Sequence, residues 1–464
     1  MVLTFAISYF FLFLATLACV GTIWAGWRML RSPEFVLMPA LMYYYTMFGA
    51  WQILRLKSAG DSTDALRHLE ASLVAVHVDS EYAASLAVYG LFLFLFWLGM
   101  LLGSRRIRPL QRDQLPDIRV SRLVLVALVA MAGSAWALWS ELQSALQEGM
   151  SLYLLTRGEA VPLFPVHQLL NRIGLAALVL AWIGQLRGPG RAFGHPWRLL
   201  ALTMASAAWM SYLGALGNRN EIVLAALGGL YLFALLGGRV RAGALVSIAA
   251  LAFLALRSIE TLRAQPLEAM LPTLIEAVST GEFWDPTAVA GGSESLAAHV
   301  SLYGLMSSSA PWTYGSSLVY LVQSLIPFMP GDARVADSYQ LYARAVGAPE
   351  GQGFNIHFAA GAWLNGGIVA VIGFALLLVV LFQALRRLTR SSVRRPRSAL
   401  PFLAGYAFLC AMVPVSMRAG PEGLKALFFE GFALPFLVAW LGAMAVPWAR
   451  ARNPSPVLRR ERMA

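Results

Sequence analysis

FAAGAWLNGGIVAVIGFALLLVVLFQAL, residues 358–385, contains no ionisable side chain and is followed at once by RRLTRSSVRRPR, residues 386–397, which carries six arginines. An apolar run longer than the roughly 20 residues needed to cross a bilayer core, closed by a basic patch, reads as a transmembrane helix ending on a cytoplasmic face. The same reading extends outward in both directions. The 464 residues are 58% hydrophobic and 13% charged, against about 25% charged in an ordinary soluble domain. That composition excludes a soluble fold, a disordered chain and a collagen. Cys19 and Cys410 both lie inside apolar runs, so they form neither a disulfide framework nor a spaced metal cluster.

The sequence predicts an all-α polytopic membrane protein with about eleven transmembrane helices, a single integral membrane domain over 1–464. The spans are Thr4–Ala25, Phe35–Ile53, Tyr82–Leu102, Leu123–Leu142, His167–Leu186, Leu199–Leu216, Glu221–Leu236, Ala242–Leu256, Phe358–Leu385, Leu400–Ser416 and Ala426–Pro447. No Lys or Arg precedes the first span, and Arg28 and Arg31 follow it, so it is expected to be a retained helix with its amino end outside rather than a cleaved signal. Alternate loops (28–34, 104–122, 187–198, 239–241, 386–397 and the end from Arg450) collect 24 of the 36 Lys and Arg. Basic residues gather in short cytoplasmic loops, so these loops and the carboxyl end are expected in the cytoplasm. The net charge of +12 is then an insertion signal, and no nucleic-acid partner is expected.

Three segments with length remain outside: 54–81, 143–166 and 257–357. The last is far longer than an ordinary connection and is expected to carry structure and function. Within it, Pro266–Val278 and Ser293–Met306 read as short helices lying at the interface, and Tyr314–Phe328 as a re-entrant or interfacial helix closed by Pro327, Pro330 and Gly331.

Chemistry is sought on that outer side. Arg219 sits in Gly217-Asn218-Arg219-Asn220-Glu221, a turn between two spans with almost no loop. Its guanidinium can fork onto phosphate oxygens beside the free amides of the next helix, or it can snorkel to lipid headgroups with Glu221 as a first-turn helix charge. Arg257, Arg263, Arg418 and Lys425 end other outer segments and can join it in an anion pocket, or contact headgroups individually. Candidate bases are His299, His357, Glu294, Asp332 and Glu422. His68 and His77 read as solvated, and His195 as cytoplasmic. Tyr303, Trp312, Tyr314, Tyr320, Tyr339 and Tyr342 can stack on sugar rings or form an interfacial belt. No nucleotide-binding glycine loop, zinc-protease motif or nucleophile elbow occurs, and no metal or cofactor is expected.

Four pieces occur in order around the large loop: Arg219 in its tight turn, Tyr314-Gly315-Ser316-Ser317 leading to Ile326-Pro327, Gly361-Ala362-Trp363-Leu364-Asn365-Gly366-Gly367 opening a span, and the outward Arg418. Over roughly residues 200–445 this order resembles the bacterial oligosaccharide repeat-unit polymerases of the Wzy type, which extend O-antigen and related exopolysaccharides. The chain departs from that family where Phe328 rather than a basic residue follows Pro327, and where Asn355 and His357 stand in place of an acidic residue before the Asn-x-Gly element.

The resemblance implies a glycosyltransferase of the bacterial inner membrane, with the 257–357 loop in the periplasm. It would join undecaprenyl-pyrophosphate-linked oligosaccharide repeats, with membrane lipids and a chain-length regulator as partners. It also implies Arg219 and Arg418 on pyrophosphate, and His357 or a loop carboxylate as base. Arg257, Arg263, His299, Tyr314, Asn355 and Lys425 would be substrate contacts. An O-antigen ligase using the same donor is the nearest alternative. A flippase of lipid-linked sugars is the alternative from another class, for which charges deep in several spans are expected; Glu430 is the main such exception here.

Overall fold

The computed structural model describes residues 2–29, 34–58, 75–107, 110, 118–148, 163–187, 196–216, 219–238, 265–284, 294–309, 311–326, 334–347, 355–393 and 396–443, with isolated positions between 250 and 261. Among these there is no strand, only one isolated bridge between Ile356 and Ala419. We number the helices α1 (Val2–Met29), α2 (Glu34–Ser58), α3 (Ser80–Gly103), α4 (Val120–Ala137), α5 (Trp139–Glu148), α6 (Phe164–Arg187), α7 (Pro196–Ala215), α8 (Arg219–Leu235), α9 (Leu267–Thr280), α10 (Glu294–Ser307), α11 (Ser316–Ser324), α12 (Ser338–Val346), α13 (Phe358–Ser392), α14 (Pro396–Ser416) and α15 (Gly423–Ala443).

Seven of the described helices are long and apolar enough to cross a membrane: α1, α3, α4, α6, α13, α14 and α15. α2 and α7 have the expected length but are not among the seven, and α8 is shorter. The expected span 242–256 falls almost entirely outside the described residues. The expected helix Leu123–Leu142 is broken: α4 ends at Ala137, Leu138 is a turn, and α5 starts at Trp139.

The packing has the character of a protein solvated by lipid. α1 exposes Phe10, Phe13, Leu17, Val20 and Trp24, apolar area that water would not tolerate as one contiguous strip. α14 is buried along nearly its whole length among α2, α8, α13 and α15, as an all-round apolar helix should be. Hydrocarbon gives no hydrophobic drive between helices, so close backbone approach matters more. Gly405 of α14 supplies one such approach, since a Cβ there would lie 2.8 Å from the Phe432 carbonyl oxygen of α15.

Buried polar groups fix which helix ends lie together. Arg386 near the end of α13 pairs with Glu34 at the start of α2, donates to the Tyr406 hydroxyl of α14, and reaches the Arg105 carbonyl just past α3. Gln383 donates to the Met100 carbonyl and to Ser104 Oγ. The described ends of three loops that carry arginines, at Glu34, Arg105 and Arg386, therefore meet at one end of the molecule.

The long loop is less superficial than expected. α9 leaves Leu271, Ile275 and Val278 exposed, as a helix resting on an interface would. α11 spans nine residues, too few to cross a bilayer. α10 corrects the expectation of a surface helix: Ala298, His299, Val300, Ser301, Leu302 and Tyr303 are all buried, because the helix is inserted against α2, α3 and α13.

Candidate functional site

The site is built where three of the four quoted sequence pieces meet, those of Tyr314–Ser317, Gly361–Gly367 and Arg418, at the end of α13 opposite Arg386. His357 is the N-cap of α13, its Nδ1 accepting from the Ala359 N–H at 3.0 Å. Nε2 therefore carries the proton and donates to Thr46 Oγ1 at 2.9 Å. The Thr46 carbonyl in turn accepts from His299 Nδ1 at 2.7 Å, and His299 Nε2 accepts from the Tyr82 hydroxyl at 3.1 Å. Tyr89 stacks on His299 and meets His357 edge-on. Burial keeps both rings neutral, lowering His357 to about 3 and His299 to about 4, with the adjacent His299 adding to the shift of His357.

These contacts bear on two expectations. His357, expected as a base, has no exposed surface and both ring nitrogens engaged, so no lone pair is left for a substrate proton. His299, expected to touch substrate, is likewise fully engaged inside the protein. Together they clasp α10 of the long loop onto α2, α3 and α13.

Immediately before His357 the chain runs alongside the turn after α14. Phe358 N–H donates to the Met417 carbonyl at 2.9 Å, and Gly420 N–H to the Ile356 carbonyl at 2.7 Å. This short parallel pairing of the backbone brings Asn355 beside Arg418 and Ala419, so two sequence candidates adjoin. Asn355 and Arg418 are both half-buried. Two residues further, Glu422 Oε1 accepts from both the N–H and the hydroxyl of Ser338, each at 2.8 Å, holding the first turn of α12. Its other oxygen is buried without a hydrogen bond, and burial pushes the carboxyl above its ordinary range. Lys425 is exposed and donates to the Ser324 carbonyl at the end of α11 at 2.9 Å. An ammonium has three donors, so two remain for an anion.

A second pairing joins two of the quoted motifs. α13 is interrupted at Gly366 (φ 162°, ψ 36°) and Gly367 (φ 62°, ψ −147°). The break frees the Leu364 carbonyl, which accepts from both Thr313 N–H (2.7 Å) and Thr313 Oγ1 (3.0 Å). Asn365 Nδ2 donates to Ser317 Oγ at 2.6 Å and to the Gly361 carbonyl at 2.7 Å. The Tyr314–Ser317 motif is thereby fastened to the Gly361–Gly367 motif.

No family model, curated protein or solved structure matches the chain.

α8 begins at Arg219, whose side chain lies outside the described residues. Its first turn is placed by Glu221, which pairs with Arg172 of α6; Arg172 Nε also donates to Glu430 at 3.1 Å. Glu430 lies in a π-helical segment, Ala426–Ala433, within the same α15 that contains Lys425. Arg219 is therefore at the same end as Arg418 and Lys425. Arg172 escaped the sequence reading because it sits within an otherwise apolar span, although a charge in such a span was itself the signal. Arg257 is buried, its Nε donating to the Phe283 carbonyl at 2.9 Å, so it anchors the turn after α9 where a substrate contact was expected. Arg263 and Asp332 lie outside the described residues, as does the side chain of Glu294. Tyr314 is 82% exposed.

Proposed function

We propose that the protein joins undecaprenyl-pyrophosphate-linked oligosaccharide repeats into a polysaccharide at the outer face of the bacterial inner membrane. One observation carries this reading: three of the four motifs that suggested it, far apart in sequence, are fastened together around the 355–367 segment, which adjoins the turn carrying Arg418 and Glu422. In the reaction, the bond between the donor glycan's anomeric carbon and its pyrophosphate oxygen breaks, and the electron pair leaves with undecaprenyl pyrophosphate. A hydroxyl of the next repeat attacks that carbon and gives its proton to a base. Arg418, Lys425 and Arg219 are suited to the leaving anion, because fixed cations stabilise charge as it develops. Of the candidate bases, Glu422 is favoured, since one oxygen is held by Ser338 and the other has no hydrogen bond.

Eleven spans, an outer amino end and a cytoplasmic carboxyl end complete the proposal. Its support is the clustering of the arginine-rich loops at the end opposite the candidate site.

The test is disruption of the gene in its host, complementation with wild type or Arg418→Ala, and electrophoresis of the surface glycan. The reading expects the long ladder to collapse to a single repeat on disruption and to return with wild type but not with Arg418→Ala. Loss of every repeat would favour a ligase or a flippase instead.

A further inference from the structure

We infer that a cavity of about 720 Å³ between α3, the end of α10, the 311–315 turn and α13 is a subsite for one neutral sugar ring, the residue of the repeat that is positioned for attack. The inference rests on the polymerase reading for the identity of that glycan, but its chemistry is local. Trp312, Tyr314 and Trp363 supply aromatic faces, and the exposed Glu81 and Ser80 supply polar atoms to the lining. Ser80 Oγ donates to Glu81 Oε2 at 2.9 Å, which fixes one carboxylate oxygen and leaves the other to accept from ring hydroxyls. Aromatic faces against the C–H edges of a sugar, with a carboxylate for its hydroxyls, recognise a hydroxylated ring rather than an alkyl chain. No cation is among the residues lining the cavity, and Glu81 would repel an acidic sugar, which agrees with an uncharged ring.

The backbone supports a built site. Among the described residues only two non-glycine residues have positive φ, Ser309 at 50° and Tyr314 at 46°, and both line this cavity. A left-handed backbone is unfavourable for a tyrosine and persists only where its surroundings impose it. Here Thr313 is locked to the Leu364 carbonyl and Trp312 is packed against Gly367. That fastening displays the Tyr314 ring outward although its backbone is strained.

The test uses the full-length protein in lipid nanodiscs and, as probe, oligosaccharides released from the host's surface glycan by partial hydrolysis, read by saturation-transfer NMR. Wild type is expected to transfer saturation to the C–H protons of one sugar residue. Tyr314→Ala and Trp312→Ala should each weaken binding about two- to tenfold, and Glu81→Gln should weaken it without changing which residue is saturated. Tyr314 is mostly exposed, so its truncation leaves the fold in place should Trp312→Ala disturb it. No transfer in wild type, or equal transfer in both aromatic variants, overturns the subsite and marks these rings as an interfacial belt only. Binding without polymer formation would overturn the polymerase reading and keep the subsite. Normal polymer formation with unchanged binding in both aromatic variants would do the reverse.

Discussion

Glu422 combines a structural contact with its proposed role as base within one side chain. Oε1 holds α12 through Ser338, while Oε2 has no hydrogen bond. Glu422→Gln keeps an acceptor for Ser338 and removes the base, so the variant should insert and melt like wild type while polymerisation falls by about 10²–10⁴-fold, measured as chain length in the complemented host. The histidine pair makes an opposite forecast. His357 and His299 are neutral in the fold, at about 3 and 4 against an ordinary 6.5. Above pH 6.5 the pair is neutral in both folded and unfolded chains, so pH has no effect through it. As pH falls from 6.5 toward 4, the unfolded chain binds protons the fold refuses, and stability should drop by about 1.4 kcal/mol per pH unit for each ring. Melting in detergent from pH 8 to 5 measures this, and His357→Asn, which can still cap α13, should halve the slope. At this scale the sequence showed which residues were polar and outward but not which were already occupied. Thr46, which engages both histidines, is an unremarkable hydroxyl in a span until α10 is seen inserted beside it.

Among the elements, α13 carries the strongest local constraint. The sequence reads 358–385 as one span, and length and apolarity were indeed legible there. The break at Gly366–Gly367 was not, because paired glycines are also tolerated in straight membrane helices. The two glycines should respond differently to substitution. Gly366 has an extended φ and a Cβ there meets only ordinary contacts, so Gly366→Ala should be close to neutral. Gly367 has φ 62°, and its Cβ would lie 2.9 Å from the Trp312 ring. Gly367→Ala should therefore destabilise by about 1–3 kcal/mol and shorten the glycan ladder, as read by thermal melting and electrophoresis. α10 shows the complementary limit. Its sequence reads as an amphipathic helix at the interface, and only its neighbours reveal a buried one.

For the molecule as a whole, the helical, membrane-spanning character of the chain was the most legible property of the sequence. Arg386, Glu34 and Arg105 meet at one end, as alternating spans require, while Arg172 links Glu221 and Glu430 near the other. Both native cysteines are buried, so single thiols can be introduced on a silent background. In spheroplasts Ser279→Cys should react with a membrane-impermeant maleimide, and Ser391→Cys only after permeabilisation; the reverse pattern would invert the protein.

The central claim is that this one chain links lipid-borne repeats. Its most direct test is the purified protein in nanodiscs supplied with undecaprenyl-pyrophosphate-linked repeats and no nucleotide sugar, followed by mass spectrometry of the glycolipids. The account expects a ladder of multiples of the repeat, with one undecaprenyl pyrophosphate released for each linkage formed. Repeats that stay single in the presence of well-folded protein would contradict it.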